Sequence, residues 1–265
     1  MSAIKIISCY SAEGGSTEAF ILLCKLFNDR GLDATFYGRD DWYRDKCRSG
    51  HFSDLKISPT DCLITHNYLI PWRPPCKIIV LSCHEKEAFP IQQYPTAYWD
   101  KIHFVSNNQK KWHGPINLPT SVIPNILPNL KRHHKKVSNV AGVIGSLDPH
   151  KQTHLSIERA LQKGFTRVLL FGKTDHPYYE DYVKPYVDQG IARYMGFFDD
   201  KQAMYDQINC VFHSSKSECA SYIEYECHLT GTDIDILDSA KSDGEMWDND
   251  RIFNAWMTFL DIDDF

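Results

Sequence analysis

The stretch Ser214-Ser-Lys-Ser-Glu218-Cys-Ala-Ser-Tyr222-Ile-Glu-Tyr-Glu226-Cys-His-Leu-Thr-Gly231 places two carboxylates eight residues apart. An apolar run at 208–212 precedes it, and it ends at a glycine, as helices commonly do. This pattern predicts a strand, a tight loop and then a helix that begins near Ser221. Because the first amides of a helix attract anions, the amides of Tyr222 and Ile223 are candidate phosphate ligands.

Strand-like apolar runs alternate with helix-compatible stretches along the chain, which predicts a parallel α/β architecture. In the first half, strands are expected at 4–7, 34–37, 62–65, 78–82 and 103–106, with a helix at 17–30. In the second half, we expect strands at 140–144, 167–171, 192–195 and 209–212, and helices near 151–163, 178–189, 200–207 and 221–229. The second series is typical of a Rossmann-type domain.

The two series are separated by a stretch rich in proline and by a basic run. Prolines recur from Pro115 to Pro128, and the basic run follows at 131–136. We therefore predict an N-terminal domain over 1–130 and a C-terminal domain over 131–246. The remaining tail, 247–265, carries apolar residues at helical spacing over 247–260, so one face of that helix should be buried.

The composition limits the classes of function. The 265 residues are 43% hydrophobic and carry a net charge of -5, so any site for nucleic acid or anionic membrane must be a local patch. Nine cysteines without Cys-x2-Cys spacing indicate reduced thiols, and we expect a cytoplasmic protein. No signal-peptide pattern or membrane-spanning apolar segment is present in the sequence, which leaves only peripheral membrane contact open.

Several motifs together resemble the family-4-like retaining glycosyltransferases of the GT-B superfamily. Glu218 and Glu226 match the Glu-x7-Glu motif of that family, and Gly231 matches its Glu-x4-Gly ending. Other landmarks follow the family's order along nearly the whole chain: the glycine loop at 13–18, the strand ending in a histidine at 78–84, the Ile-Pro-Asn at 123–125, the phosphate loop at 145–151, and the strand and glycine at 168–172.

The resemblance implies a fold and a donor. The fold would be two Rossmann-like domains facing each other across a cleft, with the tail 247–265 crossing back to the N-terminal domain. The donor would be a nucleoside diphosphate sugar linked to UDP or GDP, with no other cofactor and no metal. The sugar would pass to a hydroxyl acceptor with retention, by internal return and without a covalent enzyme intermediate.

The resemblance also assigns roles to residues. Glu218, His84 and Lys151 would be catalytic: Glu218 beside the anomeric carbon, His84 on a sugar hydroxyl and Lys151 on the diphosphate. Glu226 would accept hydrogen bonds from both ribose hydroxyls. The complete set of donor-binding residues would be Gly14, Gly15, Ser146, Lys151, Gly172, Ser221, Tyr222, Ile223 and Glu226.

The chain departs from the family at several positions. Ser146 stands where the family usually has arginine, which leaves Lys151 as the main cation of that segment, so phosphate neutralisation needs another residue. Residues 219–221 are Cys-Ala-Ser instead of Pro-Phe-Gly, and Thr232-Asp233 replaces the start of an apolar strand. The N-terminal half is short, which leaves the acceptor open among saccharides, glycolipids and small molecules.

Other functions stay open on the sequence alone. A hydroxylated nucleobase in DNA is an alternative acceptor, because Lys110-Lys-Trp-His113 and the run 131–136 are basic and contain an aromatic residue. A nucleotide-binding scaffold that has lost catalysis is a second alternative. A dinucleotide-dependent oxidoreductase is disfavoured, because no Gly-x-Gly-x-x-Gly follows a strand at the required distance from an acidic residue.

Two patterns look like metal sites. Asp233-Ile-Asp235 and Asp261-Ile-Asp263 have the Asp-x-Asp form, but both lie near the C-terminus in acidic surroundings, and we interpret them as solvated. His133-His134 has no Cys or carboxylate partner at zinc-ligand spacing, and we interpret it as part of a surface linker.

Overall fold

The computed structural model describes residues 3–8, 14–39, 43–66, 73–85, 91, 98–133 and 139–262. The chain divides into two compact units. The N-terminal unit combines Met1–Leu127 with Asp243–Phe265, and the C-terminal unit is Pro128–Ser242. Within the described ranges, no helix has both the length and the apolar character needed to cross a bilayer.

The N-terminal unit is built on a seven-stranded parallel sheet with the order β3-β2-β1-β4-β5-β6-β7. Its strands are β1 (Ile4–Ser8), β2 (Ala34–Gly38), β3 (Ser49–His51), β4 (Cys62–His66), β5 (Ile78–Cys83), β6 (Lys101–Phe104) and β7 (Thr120–Val122). Its helices are α1 (Gly15–Asp29), α2 (Asn107–His113) and the C-terminal helix (Asn249–Phe259). Every residue of β4 and β5 is buried, which explains why both read as continuous apolar runs.

The C-terminal helix completes the core of the N-terminal unit. Its residues Ile252, Phe253 and Trp256 recur at helical spacing and are buried. The ring of Phe27 on α1 makes edge contacts with Phe253 and Trp256, with centroids 6.3 and 6.4 Å apart. The predicted return of the chain's end to the N-terminal domain is therefore present in the fold.

The C-terminal unit is built on a five-stranded parallel sheet with the order β10-β9-β8-β11-β12. Its strands are β8 (Val140–Ile144), β9 (Arg167–Phe171), β10 (Ala192–Gly196), β11 (Cys210–His213) and β12 (Asp233–Ile236). Its helices are α3 (Thr153–Gln162), α4 (His176–Tyr178), α5 (Lys184–Asp188), α6 (Lys201–Tyr205) and α7 (Tyr222–Thr230), and a π-helical segment, Tyr179–Val183, joins α4 to α5. Alternating strands and helices with this strand order form a Rossmann-like unit, as predicted.

Three strands were not predicted, and one of them corrects the interpretation of an acidic pair. β3, β7 and β12 are short, and all three lie at sheet edges, where apolar periodicity is weak. Asp235 on β12 was interpreted as solvated, but its carboxylate is largely buried and accepts bonds from Arg159 and Lys163. In the second pair, Asp261 contacts Lys101 at 2.7 Å, and Asp263 lies outside the described residues.

His133 also differs from its predicted role in a surface linker. Its Nδ1 lies 2.9 Å from Asp206, and its Nε2 lies 2.7 Å from the hydroxyl of Thr232. The interpretation as part of a surface linker is therefore wrong for His133, which ties the chain entering this unit to Asp206, the residue after α6, and to Thr232, two residues after α7. His134 and the remainder of the basic run lie outside the described residues.

Candidate active site

The candidate site lies where the strand order of the C-terminal unit reverses. β8 and β11 are adjacent, with Ala141 opposite Cys210. The strands that follow β8 in the chain, β9 and β10, lie on one side of this pair, and β12 lies on the other side. In open α/β sheets, the loops that leave such a switch point at the carboxyl ends of the strands form the ligand crevice. Here these are the loop 145–152 after β8 and the loop 214–221 after β11.

Close backbone packing shapes the first of these loops. Gly172, which follows β9, has φ of 148°, and a Cβ atom there would lie 1.9 Å from the carbonyl oxygen of Gly145. Only glycine fits at this position. Within the loop, the carboxylate of Asp148 accepts a bond from the Ser146 hydroxyl at 2.5 Å and one from the backbone amide of Lys151 at 2.7 Å. The Ser146 hydroxyl is thus used inside the loop.

The two loops meet through Glu218. Its Oε1 accepts hydrogen bonds from Nζ of Lys151 at 2.5 Å and from Nε2 of His213 at 3.1 Å. Its Oε2 has no partner among the described residues, and the side chain is 15% exposed. One carboxylate oxygen is therefore anchored by the protein and the other is available to a ligand.

The surroundings of Glu218 keep it ionised. Burial by itself would raise its pKa, but the hydrogen bond from His213 and the positive charge of Lys151 outweigh burial and lower the pKa to about 2. Glu218 is consequently a carboxylate throughout the physiological range. It can stabilise positive charge or accept a hydrogen bond, but it cannot serve as an acid.

We expect His213→Leu to raise the pKa of Glu218, because burial and Lys151 remain while the hydrogen bond is lost. The pKa should be measured from the ¹³C shift of the Glu218 carboxyl carbon during an acid titration by NMR. The variant His213→Gln retains a donor and is the matched control, with a smaller rise expected. A Glu218 pKa that stays at about 2 in His213→Leu would show that His213 does not hold this carboxylate.

The second carboxylate of the motif, Glu226, lies one turn into α7 and is only 2% exposed. Lys201 on α6 donates to its Oε1, and the hydroxyl of Tyr205 donates to its Oε2 at 2.8 Å. Each carboxylate oxygen has two lone pairs, so a ligand hydroxyl can still be accepted beside these donors. The resemblance implies that Glu226 accepts both ribose hydroxyls, and in the structure each of its oxygens already accepts a bond from the protein.

The start of α7 lies between the two carboxylates. The amides of Tyr222 and Ile223 belong to the first helical turn, where backbone N–H groups have no intrahelical partner. Ser221 is the N-cap residue, and its side chain makes no capping hydrogen bond. These N–H groups therefore lie at the end of the helix that attracts an anion.

Three residues of this site were missed by sequence reasoning: Lys201, Tyr205 and His213. His213 ends β11, one residue beyond the predicted strand 209–212, and belongs to no motif, and Lys201 lies 25 residues before its partner Glu226. The lysine is one of 29 basic residues and belongs to no motif. The one indication of such a residue in the sequence is Ser146, which replaces the family's arginine, so that another residue must help to neutralise the phosphate.

The predicted site residues of the N-terminal unit lie at the carboxyl edge of its own sheet. Gly15 begins α1 and Gly14 is its N-cap residue, with nothing within 4 Å of a Cβ built on Gly14. A ligand can therefore approach this backbone closely. Glu13, which was part of the predicted glycine loop, lies outside the described residues.

His84 follows β5 in a cluster of imidazole rings. Its ring centroid lies 4.5 Å from that of Phe20 and 5.5 Å from that of His66, and its Nε2 lies 3.3 Å from the Ser82 hydroxyl. Burial first, and then the charge of His66, lower the pKa of His84 well below its ordinary value. His84 is thus a neutral ring at pH 7, which suits hydrogen bonding to a hydroxyl group, and its contact with a sugar stays a prediction.

Comparison with known proteins gives structural matches but no sequence matches. No protein-family model matches the chain, and no curated protein sequence does either. HepE of Anabaena, solved in complex with UDP and glucose, is 14% identical, has a TM-score of 0.69, and the match covers 91% of this chain and 82% of HepE. For TarM the TM-score is 0.73 at 9% identity, with coverage of 99% of this chain and 92% of TarM.

A third similar structure is WaaG, a glycosyltransferase involved in lipopolysaccharide biosynthesis. It has a TM-score of 0.63 at 10% identity, and the match covers 97% of this chain and 90% of WaaG. At these identities the similarity establishes the fold alone. The chain has the GT-B fold of these glycosyltransferases.

Proposed function

We propose that the protein is a retaining glycosyltransferase of the family-4-like type, which moves a sugar from a nucleoside diphosphate sugar to a hydroxyl acceptor. The observation that carries the proposal is the meeting of Lys151 and Glu218 at the switch point of the C-terminal sheet, beside the start of α7. This places a cation, helix amides and an ionised carboxylate together, which are the groups that glycosyl transfer from a diphosphate requires.

Donor binding rests on charge and on close backbone approach. Lys151 and the amides of Tyr222 and Ile223 bind the diphosphate, and Glu226 accepts bonds from the ribose hydroxyls. Gly14, Gly15, Ser146, Gly172 and Ser221 complete the donor site as we propose it. HepE has been solved with UDP-glucose, which supports a nucleotide sugar as donor and favours uridine over guanosine.

Transfer itself needs charge stabilisation at both ends of the breaking bond. As the bond between sugar and phosphate lengthens, negative charge grows on the diphosphate near Lys151, and positive charge grows on the sugar ring near the ionised Glu218. Retention follows if the acceptor hydroxyl attacks from the face that the diphosphate leaves and gives its proton to the departing phosphate. This route forms no covalent enzyme intermediate, and His84 positions the sugar.

The proposals for cellular location, metal and acceptor rest on fewer observations. All eight cysteines among the described residues are free thiols, which supports a cytoplasmic location. We propose transfer without a metal, because Lys151 and the helix amides supply the charge that a metal would provide. The acceptor is a saccharide, a glycolipid or a small molecule.

The experiment that tests this function presents the purified protein with UDP-, GDP-, ADP- and CMP-linked sugars. The release of nucleotide is measured with and without a mixture of hydroxyl acceptors. We expect slow hydrolysis of one donor at least, and an α-configured product from an α-linked donor. Binding of a nucleotide without any release would instead identify a scaffold that has lost catalysis, and no binding at all would reject the proposal.

We expect Glu226→Gln to weaken donor binding about 10- to 100-fold with little change in kcat, since one ionised acceptor of hydroxyl bonds is lost. Isothermal titration calorimetry with the active donor's nucleoside diphosphate, together with the KM for the donor, checks this. Glutamine keeps the shape of the side chain and limits the cost of leaving Lys201 unpaired. A fall in kcat with unchanged affinity would contradict the assignment of Glu226 to the ribose.

One surface feature favours a second candidate acceptor, a hydroxylated base in DNA. On α2, Trp112 is 49% exposed beside the exposed Lys111, and exposed aromatic rings next to lysines bind unpaired bases. His113, which the sequence grouped with them, is buried and is not part of this surface. Retention of the protein on DNA at low salt, lost in Trp112→Ala, would support this acceptor, and indifference to DNA would reject it.

A further inference from the structure

Two lysine–glutamate bridges flank the first turn of α7. Lys151 pairs with Glu218 on the loop before the helix, and Lys201 pairs with Glu226 inside it. Each lysine thus has a carboxylate partner in the free protein. A nucleoside diphosphate brings at least two negative charges to this region, so a single lysine from the loop 145–152 does not balance it.

Ser146 cannot neutralise the second negative charge of the diphosphate. Its side chain is neutral, and its hydroxyl donates to Asp148 within the loop. Lys201, in contrast, is the first residue of α6, and its side chain is 22% exposed. Its Nζ lies 5.2 Å from the centre of the Tyr222 ring, the residue with which α7 begins. The ammonium group therefore lies over the side chain of the first residue of α7, the helix whose first amides are assigned to the diphosphate.

We propose that Lys201 is a second diphosphate-binding residue of the donor site, held in place by Glu226 and replacing the charge that is lost at Ser146. The inference rests on the proposed function. An ammonium group has three N–H donors, so Lys201 can keep its bond to Glu226 and still donate to a phosphate oxygen. Glu226 would then serve the donor twice, by accepting bonds from the ribose and by orienting Lys201.

A competing explanation is that Lys201 only neutralises a buried carboxylate. The two explanations predict different results once the Glu226 carboxylate has been removed. In a Glu226→Gln background, a lysine whose role is to neutralise Glu226 has lost that role, so its replacement should affect all ligands alike. A phosphate-binding lysine should still favour ligands that carry phosphate over those that do not.

The experiment compares Glu226→Gln with the double variant Lys201→Met/Glu226→Gln. The ligands are uridine, UMP and UDP, or the matching set for GDP, ADP or CDP, according to which diphosphate the wild type binds. Affinities are measured by calorimetry and, for weak ligands, by competition. We expect the double variant to lose about 10- to 100-fold in diphosphate affinity and less than about 3-fold in nucleoside affinity. Its diphosphate affinity should also depend less on salt.

Two controls accompany this comparison. Lys184→Met in the same background removes an exposed lysine that pairs with Glu180 at 2.7 Å, and it should leave every affinity unchanged. Lys201→Arg keeps the charge and should retain most of the preference for diphosphate over nucleoside. Thermal unfolding of each variant confirms that it is folded before binding is compared.

Failure of the proposed role of Lys201 can be distinguished from failure of the proposed function. If the wild type binds a diphosphate, but Lys201→Met/Glu226→Gln changes diphosphate and nucleoside affinity by the same factor, Lys201 is not a phosphate ligand and the proposed function still stands. If the wild type binds none of the four diphosphates, the proposed function itself fails and this inference fails with it.

Discussion

Replacing Glu218 with glutamine should lower kcat on the order of 10²- to 10³-fold without weakening donor binding. The ionised carboxylate, with its Oε2 open to a ligand, is the group assigned to the positive charge that develops on the sugar. In the free protein, Lys151 is engaged by Glu218, so removing the carboxylate releases the lysine for the diphosphate. The affinity for the donor should therefore stay the same or increase.

The measurement is steady-state kinetics with the donor found active, together with calorimetry for its nucleoside diphosphate. Glu224→Gln is the matched control, because Glu224 lies in the same stretch and its carboxylate accepts a bond from the backbone amide of Ser242 at 2.7 Å. Glutamine can accept the same bond, so this control should retain kcat within about 3-fold. Equal losses in Glu218→Gln and Glu224→Gln would place the chemistry elsewhere.

Replacing Trp256 with alanine should lower the free energy of unfolding by about 3 to 5 kcal/mol. The indole is 2% exposed and packs between α1 and the sheet of the N-terminal unit. Its ring centroid lies 4.5 Å from that of His103 and 6.4 Å from that of Phe27. Alanine would leave a cavity in the core that joins the C-terminal helix to the N-terminal unit.

Chemical denaturation followed by circular dichroism measures this loss, and Trp112→Ala provides the control. Trp112 is 49% exposed on α2, so its removal should change the free energy of unfolding by about 0.5 kcal/mol or less. If both tryptophans cost the same, the C-terminal helix does not contribute to the core as its burial indicates. The loss should be confined to the unfolding step of the N-terminal unit if the two units unfold separately.

The central strands and most of the helices were predictable from the sequence. Strands β4, β5, β9 and β11 are short apolar runs bounded by polar residues, and the C-terminal helix shows apolar residues at helical spacing. The edge strands β3, β7 and β12 were missed because they carry little apolar pattern. β12 reads Asp-Ile-Asp-Ile, and its acidic residues are tolerated there because Arg159 and Lys163 neutralise Asp235.

The sequence by itself determined the alternation of strands and helices and the spacing of Glu218 and Glu226, because both depend on residues that are close along the chain. Tertiary structure alone decided that Lys151 and His213 hold Glu218, and that Lys201 and Tyr205 hold Glu226. The lysine partners lie 67 and 25 residues from their carboxylates, and only the reversal of strand order and the packing of α6 against α7 bring them together. Charge pairing between distant segments leaves no periodic pattern in a sequence, since it requires only that the folded backbone bring two side chains within hydrogen-bonding distance.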